Sequence, residues 1–419
     1  MKETKFKDTE LGKIPEEWDY GKFEDYLDKF SAGATPYRGI ASNFIGTIPW
    51  VSSGELNYNY ITDTREHISQ DAQKSTHLTL HPKGTFLIAI TGLEAAGTRG
   101  RCAFIETPAT TNQSCLAIYS TEKMIVEYLF WFYQQWSDYL AFNFSQGSKQ
   151  QSFTAEIVKK LPIYAPSLSE QQRIASALSD ADALVAELDV LIEKKRAIMA
   201  GTMQELLTGK RRLQGFSEPW VEKKFCEVGT TYNGLSGKTA ADFGHGTSKY
   251  VTFVNVIYNA VINPTILDSV DVSPKERQNA VLKEDLLLNT SSETPEEVGM
   301  CSYMAASIPN LYLNSFCFGF RVSNKDVCPL FLSYLLRSAT GRSFMLELAQ
   351  GSTRYNLPKR KFLQSAILLP SSLAEQRAIA SILSDMDAEI AELEAKRDKY
   401  KEVRQGMMQQ LLTGKIRLI

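Results

Sequence analysis

One internal repeat constrains this chain more than any other feature of its sequence. Residues 170–213 align without a gap on residues 375–418 at a constant offset of 205, and 24 of the 44 aligned positions are identical. Self-similarity over such a length is the signature of a duplicated structural unit. The repeat therefore predicts two copies of one architecture within a single chain.

The similarity continues more weakly through the remainder of the chain. Matching residues recur at offsets that drift between 200 and 205, including Trp18 with Trp220, Asn112 with Asn314, and Gln146-Gly147-Ser148 with Gln350-Gly351-Ser352. This drift indicates short loop insertions in a shared fold. We expect a first variable domain (1–168), a central helix (169–213), a second variable domain (214–372) and a C-terminal helix (373–419).

The variable domains have the pattern of mixed α and β structure. Short apolar runs predict buried strands at 85–90, 116–119, 286–288 and 316–322, and amphipathic patterns predict helices over 122–142 and 329–349. The expected fold class is α+β. It comprises two similar domains with short strands, joined by two long antiparallel coiled-coil helices in a pseudo-twofold repeat.

The repeated segments have the spacing of a coiled coil. Apolar residues recur in alternating steps of four and three at Ile174, Leu178, Ala181, Val185, Leu188 and Ile192. The second copy places Ile379, Leu383, Met386, Ile390 and Leu393 on its seam, which resumes through Tyr400, Val403, Met407 and Leu411. Gly209 and Gly414 are typical residues for ending a helix.

Charge favours an antiparallel pairing of these helices. Residues 180–189 and 385–394 carry acids and no base, whereas 194–196 and 396–404 are rich in bases. Antiparallel packing would place each acidic half beside the basic half of the other helix. The same distribution would also arise if the charges only complement the helix dipoles.

Composition excludes several classes of protein. The 419 residues are 43% hydrophobic with a formal net charge of −2, and the sequence contains neither a long apolar run nor a signal peptide at its charged start. We expect a cytoplasmic protein that does not enter a membrane. Six scattered cysteines and four histidines make a zinc site improbable and predict reduced, buried thiols.

Motifs for catalysis are absent from the sequence. A nucleophile elbow, a complete phosphate-binding loop and a methyltransferase signature are all missing, and Gly237-Lys238-Thr239 lacks the first glycine of a phosphate-binding loop. The four histidines lie in polar segments, which predicts that they are surface residues. We therefore expect no catalytic or metal-binding residues.

Two short loops carry the strongest signal of molecular recognition. Residues 147–152 and 351–356 occupy matching positions, and each precedes a predicted short helix. Small residues permit close backbone approach, while Lys, Gln, Arg and Asn side chains bind base edges and phosphates. The candidates for DNA contact in these loops are Ser148, Lys149, Gln150, Ser352, Thr353, Arg354, Tyr355, Asn356 and the nearby Lys359. An ordinary solvated loop is the alternative interpretation.

The pattern resembles the specificity subunit of type I restriction-modification enzymes over essentially the whole chain. The resemblance is carried by residues 31–36, 46–56, 83–88, 112–114, 146–148 and 161–162, and by the Glu-Gln that opens each long helix. The second half matches at 282–290, 350–353 and 375–376. It lacks a counterpart of Pro49-Trp50, so its loop at 231–260 cannot be aligned.

The resemblance implies two target-recognition domains that read the halves of an asymmetric DNA site. It adds Thr35, Arg38, Ser52, Ser53, Asn112 and Gln113 to the candidates for DNA contact. It also implies that Glu170, Gln171, Leu178, Leu188, Glu375, Gln376, Leu383 and Leu393 serve as helix spacer and in subunit docking.

The implied partners are double-stranded DNA, two modification subunits and restriction subunits. S-adenosylmethionine, ATP and Mg²⁺ would bind those subunits, and no cofactor would bind this chain. A single-chain DNA-modifying or DNA-cleaving enzyme and a coiled-coil scaffold without DNA binding are the alternatives.

Overall fold

The computed structural model describes residues 4–95, 99–147 and 149–419. The chain forms two compact units, one comprising Met1–Leu188 with Lys396–Ile419 and the other Asp189–Ala395. Each unit therefore takes one variable domain and half of each long helix, a different division from the four consecutive segments of the sequence. Within the described part of the chain, no helix is long and apolar enough to span a lipid bilayer.

The variable domain of the first unit mixes short strands and helices. Its strands are β1 (Phe6–Thr9), β2 (Gly12–Pro15), β3 (Asp19–Lys22), β4 (Leu27–Ala32), β5 (Ile48–Val51), β6 (Asn59–Ile61), β7 (His67–Ile68), β8 (Phe86–Ala89), β9 (Cys102–Ile105), β10 (Thr110–Thr111), β11 (Cys115–Ser120) and β12 (Pro162–Ala165). Its helices are α1 (Phe23–Tyr26), α2 (Gln70–Ser75), α3 (Val126–Phe144) and α4 (Ala155–Lys159), and the long helix α5 (Leu168–Leu206) begins in this unit.

Two sheets organise this first domain. The larger has the strand order β4-β11-β8-β9-β6, and the smaller has the order β10-β5-β7. Helix α3 packs its aromatic face into the main core, which includes Phe86, Phe104 and Tyr128. Met408, Leu411 and Leu412, from the far end of the chain, complete the same core. The C-terminal segment is therefore part of the first unit.

The second unit contains the corresponding elements. Its strands are β13 (Trp220–Lys224), β14 (Gly229–Asn233), β15 (Phe243–Val251), β16 (Leu267–Val270), β17 (Leu286–Asn289), β18 (Ser291–Ser292), β19 (Cys301–Tyr303), β20 (Leu311–Leu313), β21 (Cys317–Val322), β22 (Tyr355–Asn356) and β23 (Ala366–Pro370). Its helices are α6 (Phe225–Val228), α7 (Phe253–Tyr258), α8 (Pro329–Arg337), α9 (Ala339–Leu348) and α10 (Lys359–Gln364), followed by the long helix α11 (Leu373–Leu411).

The strand topology of the second unit repeats that of the first. The order β14-β21-β17-β19 matches β4-β11-β8-β9, and β20-β15-β16 matches β10-β5-β7. In both smaller sheets the central strand pairs parallel with one neighbour and antiparallel with the other. The predicted α+β class and internal repeat are confirmed.

One predicted helix is divided. The pattern over 329–349 predicts a single helix, but the structure forms α8 and α9 with Ser338 between them. Ser338 has an extended backbone and its buried hydroxyl accepts a hydrogen bond from the Gly341 amide, which caps α9. A serine that bonds nearby backbone groups competes with continuous helix, which explains the break.

The two long helices run antiparallel within each unit. In the first unit Asp182 of α5 pairs with Arg404 of α11, and in the second Lys195 pairs with Glu389 at 2.5 Å. These ion pairs join the acidic half of one helix to the basic half of the other. Gly209 and Gly414 take positive φ angles of 70° and 67° just past the helix ends, as predicted.

The heptad seam is buried along most of its length. Leu178, Leu188 and Leu383 are buried, whereas Leu393 is only half-buried. Val403 remains 45% exposed, so its predicted place on the seam is wrong. The seam prediction fails here because half-buried Arg404, which pairs with Asp182 of α5, faces the other helix in place of its neighbour Val403.

Candidate nucleic-acid interface

Each unit presents a five-residue hairpin loop closed by a reciprocal pair of backbone hydrogen bonds. Gln146 and Ser152 exchange both bonds at 2.9 Å, and Gln350 and Asn356 exchange theirs at 2.9 and 2.8 Å. The glycine that follows each glutamine has a positive φ, 100° at Gly147 and 122° at Gly351. The described parts of the two predicted recognition loops therefore have the same backbone shape at their closing residues and at the glycine that follows.

A side chain at either glycine would destroy this shape. A Cβ atom at Gly147 would clash with the carbonyl oxygen of Gln150, and one at Gly351 would clash with that of Arg354. Glycine is required here both because φ is positive and because the backbone approaches so closely. Small residues in the sequence signalled this requirement correctly.

The hairpins are anchored to the main sheets at equivalent points. The amide of Phe153 donates to the carbonyl of Ile90, and the amide of Leu357 donates to that of Thr290, both at 2.8 Å. Phe153 and Leu357 are buried, so a core residue directly follows each hairpin and fixes its position.

The side chains at the hairpin tips are exposed. Lys149 and Gln150 in the first unit, and Ser352, Thr353, Arg354 and Asn356 in the second, all face solvent, and Tyr355 is half-buried. Ser148 lies outside the described residues. The exposed set offers hydrogen-bond donors and one guanidinium, which suits contact with phosphates and base edges.

A second loop cluster of the first unit lies at one end of strands β5 and β10. The Asn112 amide donates to the Val51 carbonyl at 2.9 Å, and the Ala34 amide donates to that of Thr111 at 3.1 Å. These bonds bring Thr35 beside Gln113, and the two side chains are hydrogen-bonded. The side chain of Asn112 accepts from the Ser114 amide at 3.0 Å, so it shapes this turn.

Ser52 and Ser53 begin the short turn that follows β5. The Ser52 amide and hydroxyl both bond the Glu55 carboxylate, at 2.8 and 2.7 Å, and form a capping box at Ser53–Glu55. Thr35, Ser52, Asn112 and Gln113 are thus brought together by the small sheet. Ser52 and Asn112 hold the loops in shape, whereas Gln113 is exposed.

Arg38 lies on the exposed loop that follows Thr35. Its guanidinium forms two hydrogen bonds with the Glu66 carboxylate, at 2.9 and 2.8 Å, and lies 4.6 Å from the ring centre of Phe44. Hydrogen bonding to Glu66 raises the pKa of Arg38. A phosphate would have to compete with Glu66 for this side chain.

The small sheet also gives the counterparts of this loop cluster in the second unit, of which sequence comparison finds only Asn314. Strand register matches Val251 with Val51, and the Leu235 amide bonds the Leu313 carbonyl as Ala34 bonds Thr111. By this register Ser236 corresponds to Thr35, Thr252 to Ser52, Asn314 to Asn112 and the exposed Phe316 to Ser114. The signal in the sequence is Gly33 and Gly234, which lie 201 residues apart.

Lys359 lies at the start of α10 behind the second hairpin. Its ammonium group bonds the side chain of Asn233 and lies 5.4 Å from the ring centre of Phe318. Burial lowers the pKa of Lys359. Lys359 is half-buried, so it is less available to a phosphate than Arg354 is.

The Glu-Gln pair that opens each long helix has internal partners. Glu170 accepts two hydrogen bonds from Arg417, and Glu375 accepts two from Arg212. The Gln171 side chain accepts from the Ile125 amide, and Gln376 accepts from the Cys328 amide, each at 2.8 Å. All four residues are buried. Their contacts fix the starts of the long helices, and the two glutamines tie these starts to the variable domains.

Candidate metal ligands are dispersed in the described part of the chain. No cluster of three or more His, Cys, Asp or Glu residues there could hold a metal ion. His81 is buried, contrary to prediction, with its Nδ1 atom 2.8 Å from the hydroxyl of Tyr119, and burial lowers its pKa to about 4. Cys226 is exposed, whereas Cys102, Cys115, Cys301 and Cys317 are buried as expected.

The fold and these loops define a tandem protein with two equivalent loop-bearing domains carried on shared helices. A family model for the type I restriction modification DNA specificity domain matches residues 15–194 and again residues 217–402. The chain belongs to this family. Specificity subunits are the non-catalytic members of type I restriction-modification enzymes.

Individual relatives agree with this assignment. The chain is 36% identical over 188 residues to the type I restriction enzyme MjaIX specificity subunit of Methanocaldococcus jannaschii, an alignment that spans 44% of this chain and 42% of that protein. It is 23% identical to the MjaVIII specificity subunit of the same organism, over 100% of this chain and 97% of the relative.

A solved structure has the same fold. The type I restriction-modification system S subunit from M. genitalium superposes with a TM-score of 0.60 at 14% identity, covering 94% of this chain and 96% of that one. A chain from a structural study of complex assembly in the type I R-M system gives a TM-score of 0.57 at 15% identity, covering 96% and 99%.

Proposed function

We propose that this chain is the DNA-reading subunit of a type I restriction-modification enzyme and recognises an asymmetric site in two separate halves. Each unit would read one half through its hairpin and its strand-end loops. The single observation that supports this function is the duplicated hairpin, which has the same closing hydrogen bonds and positive-φ glycine in both units but two different sets of tip residues. Two domains with the same scaffold and different side chains would read two different sequences.

The repeat also favours two equivalent docking positions for catalytic partners. We propose that two modification subunits bind, one beside each unit, and methylate adenine at N6 with S-adenosylmethionine. Restriction subunits would add ATP- and Mg²⁺-dependent translocation and cleavage. This chain would contribute recognition and assembly, and the cofactors would be bound by its partners.

A domain exchange tests the proposal. Residues 1–168 are replaced by the corresponding domain of another family member, the hybrid is expressed with its modification subunit, and the methylated motif is determined by methylome sequencing. We expect one half of the motif to change while the other half is retained. A change in both halves would contradict the assignment of one domain to each half-site.

Direct DNA binding separates the alternatives. A shift assay uses a pool of DNA sequences, with and without the modification subunit. We expect the chain to bind DNA, and to bind it more tightly and more selectively when that subunit is present. A coiled-coil scaffold would bind no DNA in either condition. An independent enzyme would instead modify or cleave DNA as the purified chain alone.

A further inference from the structure

A groove in the second unit is lined partly by an acidic side chain. It measures about 580 Å³ and lies between the facing halves of α5 and α11 and the segment that follows α7. Its walls include Met199 and Met203 of α5, Ile390 of α11 and Val261, and Asp387 lies within it. The groove therefore has several apolar residues in its walls and two carboxylates, Asp387 and Glu394.

Asp387 lacks a charged hydrogen-bond partner among its described contacts. It is half-buried and accepts a hydrogen bond from the Tyr334 hydroxyl at 2.7 Å. The nearby Arg337 guanidinium donates to backbone carbonyls, including those of Ile257 and Cys301. Arg196, at the groove rim, is paired with Glu193 and Glu394. Burial is the main cause that raises the pKa of Asp387, while the hydrogen bond from Tyr334 and the charge of Arg337 act in the opposite direction and only partly offset it.

In the first unit, the aspartate equivalent to Asp387 is paired with a cation. The repeat offset of 205 equates Asp387 with Asp182, and Asp182 forms an ion pair with Arg404 of α11. The same offset equates Arg404 with Met199. The second unit therefore retains the acid of this pair and has lost its arginine.

Larger side chains also fill this region of the first unit. Ile125 and Cys328 make equivalent hydrogen bonds to Gln171 and Gln376, which aligns Trp131 with Tyr334. Strand register aligns Tyr60 with Val261, since each is paired with the equivalent residue of the neighbouring strand. Tyr60 stacks on Phe104, its hydroxyl group interacts with the side chain of Ser179, and the charge of Asp182 acts on it. The groove in the second unit is thus the space left by three smaller residues.

We propose that this groove receives an arginine side chain from a partner protein, whose guanidinium binds Asp387 as Arg404 binds Asp182. The inference rests on the proposed function, since the modification subunit is the partner used to test it. It adds one specific contact to that function. Asp387 of the second unit would bind an arginine of the partner, whereas Asp182 of the first unit binds an arginine of this chain.

The chemistry of the groove favours this occupant. A partly buried carboxylate is best compensated by a guanidinium, which forms two parallel hydrogen bonds. The apolar walls suit the methylene stem of an arginine, and a phosphate would be repelled by Asp387. Tyr258, which also lines the groove, is 71% exposed, and tyrosine is enriched among the residues that contribute most to protein interfaces.

The proposal is tested by a substitution that fills the groove with a side chain of this chain. Met199→Arg introduces the equivalent of Arg404 into the second unit, and its guanidinium should bind Asp387. The full-length variant should therefore keep or raise its Tm. Its dissociation constant for the modification subunit should rise on the order of tenfold at one of the two binding steps, which isothermal titration calorimetry can resolve. Asp387→Asn should weaken the same step. Ile198→Arg is the matched control, because it adds the same charge to an exposed position of α5 that does not line the groove.

The outcomes separate this inference from the proposed function. Equal binding by the unaltered chain, Met199→Arg and Asp387→Asn would overturn the inference and leave the docking proposal intact. An equal loss with Ile198→Arg would also overturn it, since added charge alone would then explain the effect. No binding by the unaltered chain would overturn the docking proposal itself, and with it this contact.

Discussion

Arg417 binds Glu170 through two parallel hydrogen bonds of 2.7 and 2.8 Å, although 247 residues separate them in the chain. Glu170 is buried, and the indole of Trp18 donates to the same carboxylate at 3.1 Å. The second unit repeats the arrangement with Arg212 and Glu375 at 2.6 and 2.7 Å. Each pair fixes the end of one long helix to the start of the other.

Arg417→Ala should destabilise the first unit strongly. Removing one partner leaves the buried Glu170 carboxylate uncompensated, which typically costs about 3–5 kcal/mol. Denaturant unfolding of the full chain measures the loss. Arg211→Ala is the control, because the Arg211–Glu205 pair is largely exposed and should contribute less than about 1 kcal/mol. Similar losses of stability in the two variants would show that the Arg417–Glu170 pair contributes no more than an exposed ion pair does.

Gly351→Ala should distort the second hairpin. The new Cβ atom would clash with the Arg354 carbonyl and would sit on a residue with φ of 122°. Strain of this kind costs about 1–3 kcal/mol, and the tip residues would move from their positions. We expect DNA affinity to fall, and the free energy of unfolding should fall by no more than this strain because the exposed loop can relax.

Gly406→Ala provides the matched substitution for this hairpin variant. Gly406 lies within α11 with nothing near its prospective Cβ atom, so alanine should stabilise the helix by about 1 kcal/mol. Unchanged DNA affinity in Gly351→Ala would show that the hairpin does not contribute to DNA binding.

Arg354→Ala should reduce the salt dependence of DNA binding. Each phosphate contact releases counterions, so the loss of one should lower the slope of log K against log salt by about 1. Fluorescence anisotropy across a salt series measures this slope. Lys359→Ala is also expected to weaken binding and flatten the slope, but its contact with Asn233 and its half-buried position predict a smaller change. An unchanged slope in Arg354→Ala would place that side chain away from phosphates.

Asp387→Asn should raise the Tm at neutral pH. The folded state raises the pKa of Asp387 above its ordinary value of 3.8, so its charged form opposes folding once the pH exceeds the folded-state pKa. Asparagine removes that charge and can still accept the hydrogen bond from Tyr334. As the pH falls through the folded-state pKa towards 3.8, the native carboxylate becomes protonated and the advantage of the variant should disappear. The difference in Tm between the two chains, followed against pH, tests this, and a variant that is less stable at neutral pH would contradict it.

The long helices and the duplicated architecture were predictable from the sequence because their signals are local and repeated. A constant offset aligns the helices, the heptad spacing predicts most of the buried seam, and Gly209 and Gly414 mark its ends. The hairpin positions followed from the same comparison, since a glycine required by backbone shape is retained in both copies.

Contacts between distant residues were decided by the tertiary structure. The sequence places Glu170 at the start of a helix but does not show that Arg417 neutralises it, and it leaves Ser236 and Thr252 without counterparts until strand register pairs them with Thr35 and Ser52. The groove at Asp387 likewise depends on residues from α5, α11 and the segment after α7 that come together only on folding. Duplication and periodicity determine which elements form, because backbone preference and apolar spacing act over a few residues. Which side chains meet depends on packing across hundreds of residues, because a buried charge or an open groove is defined only by neighbours from other elements.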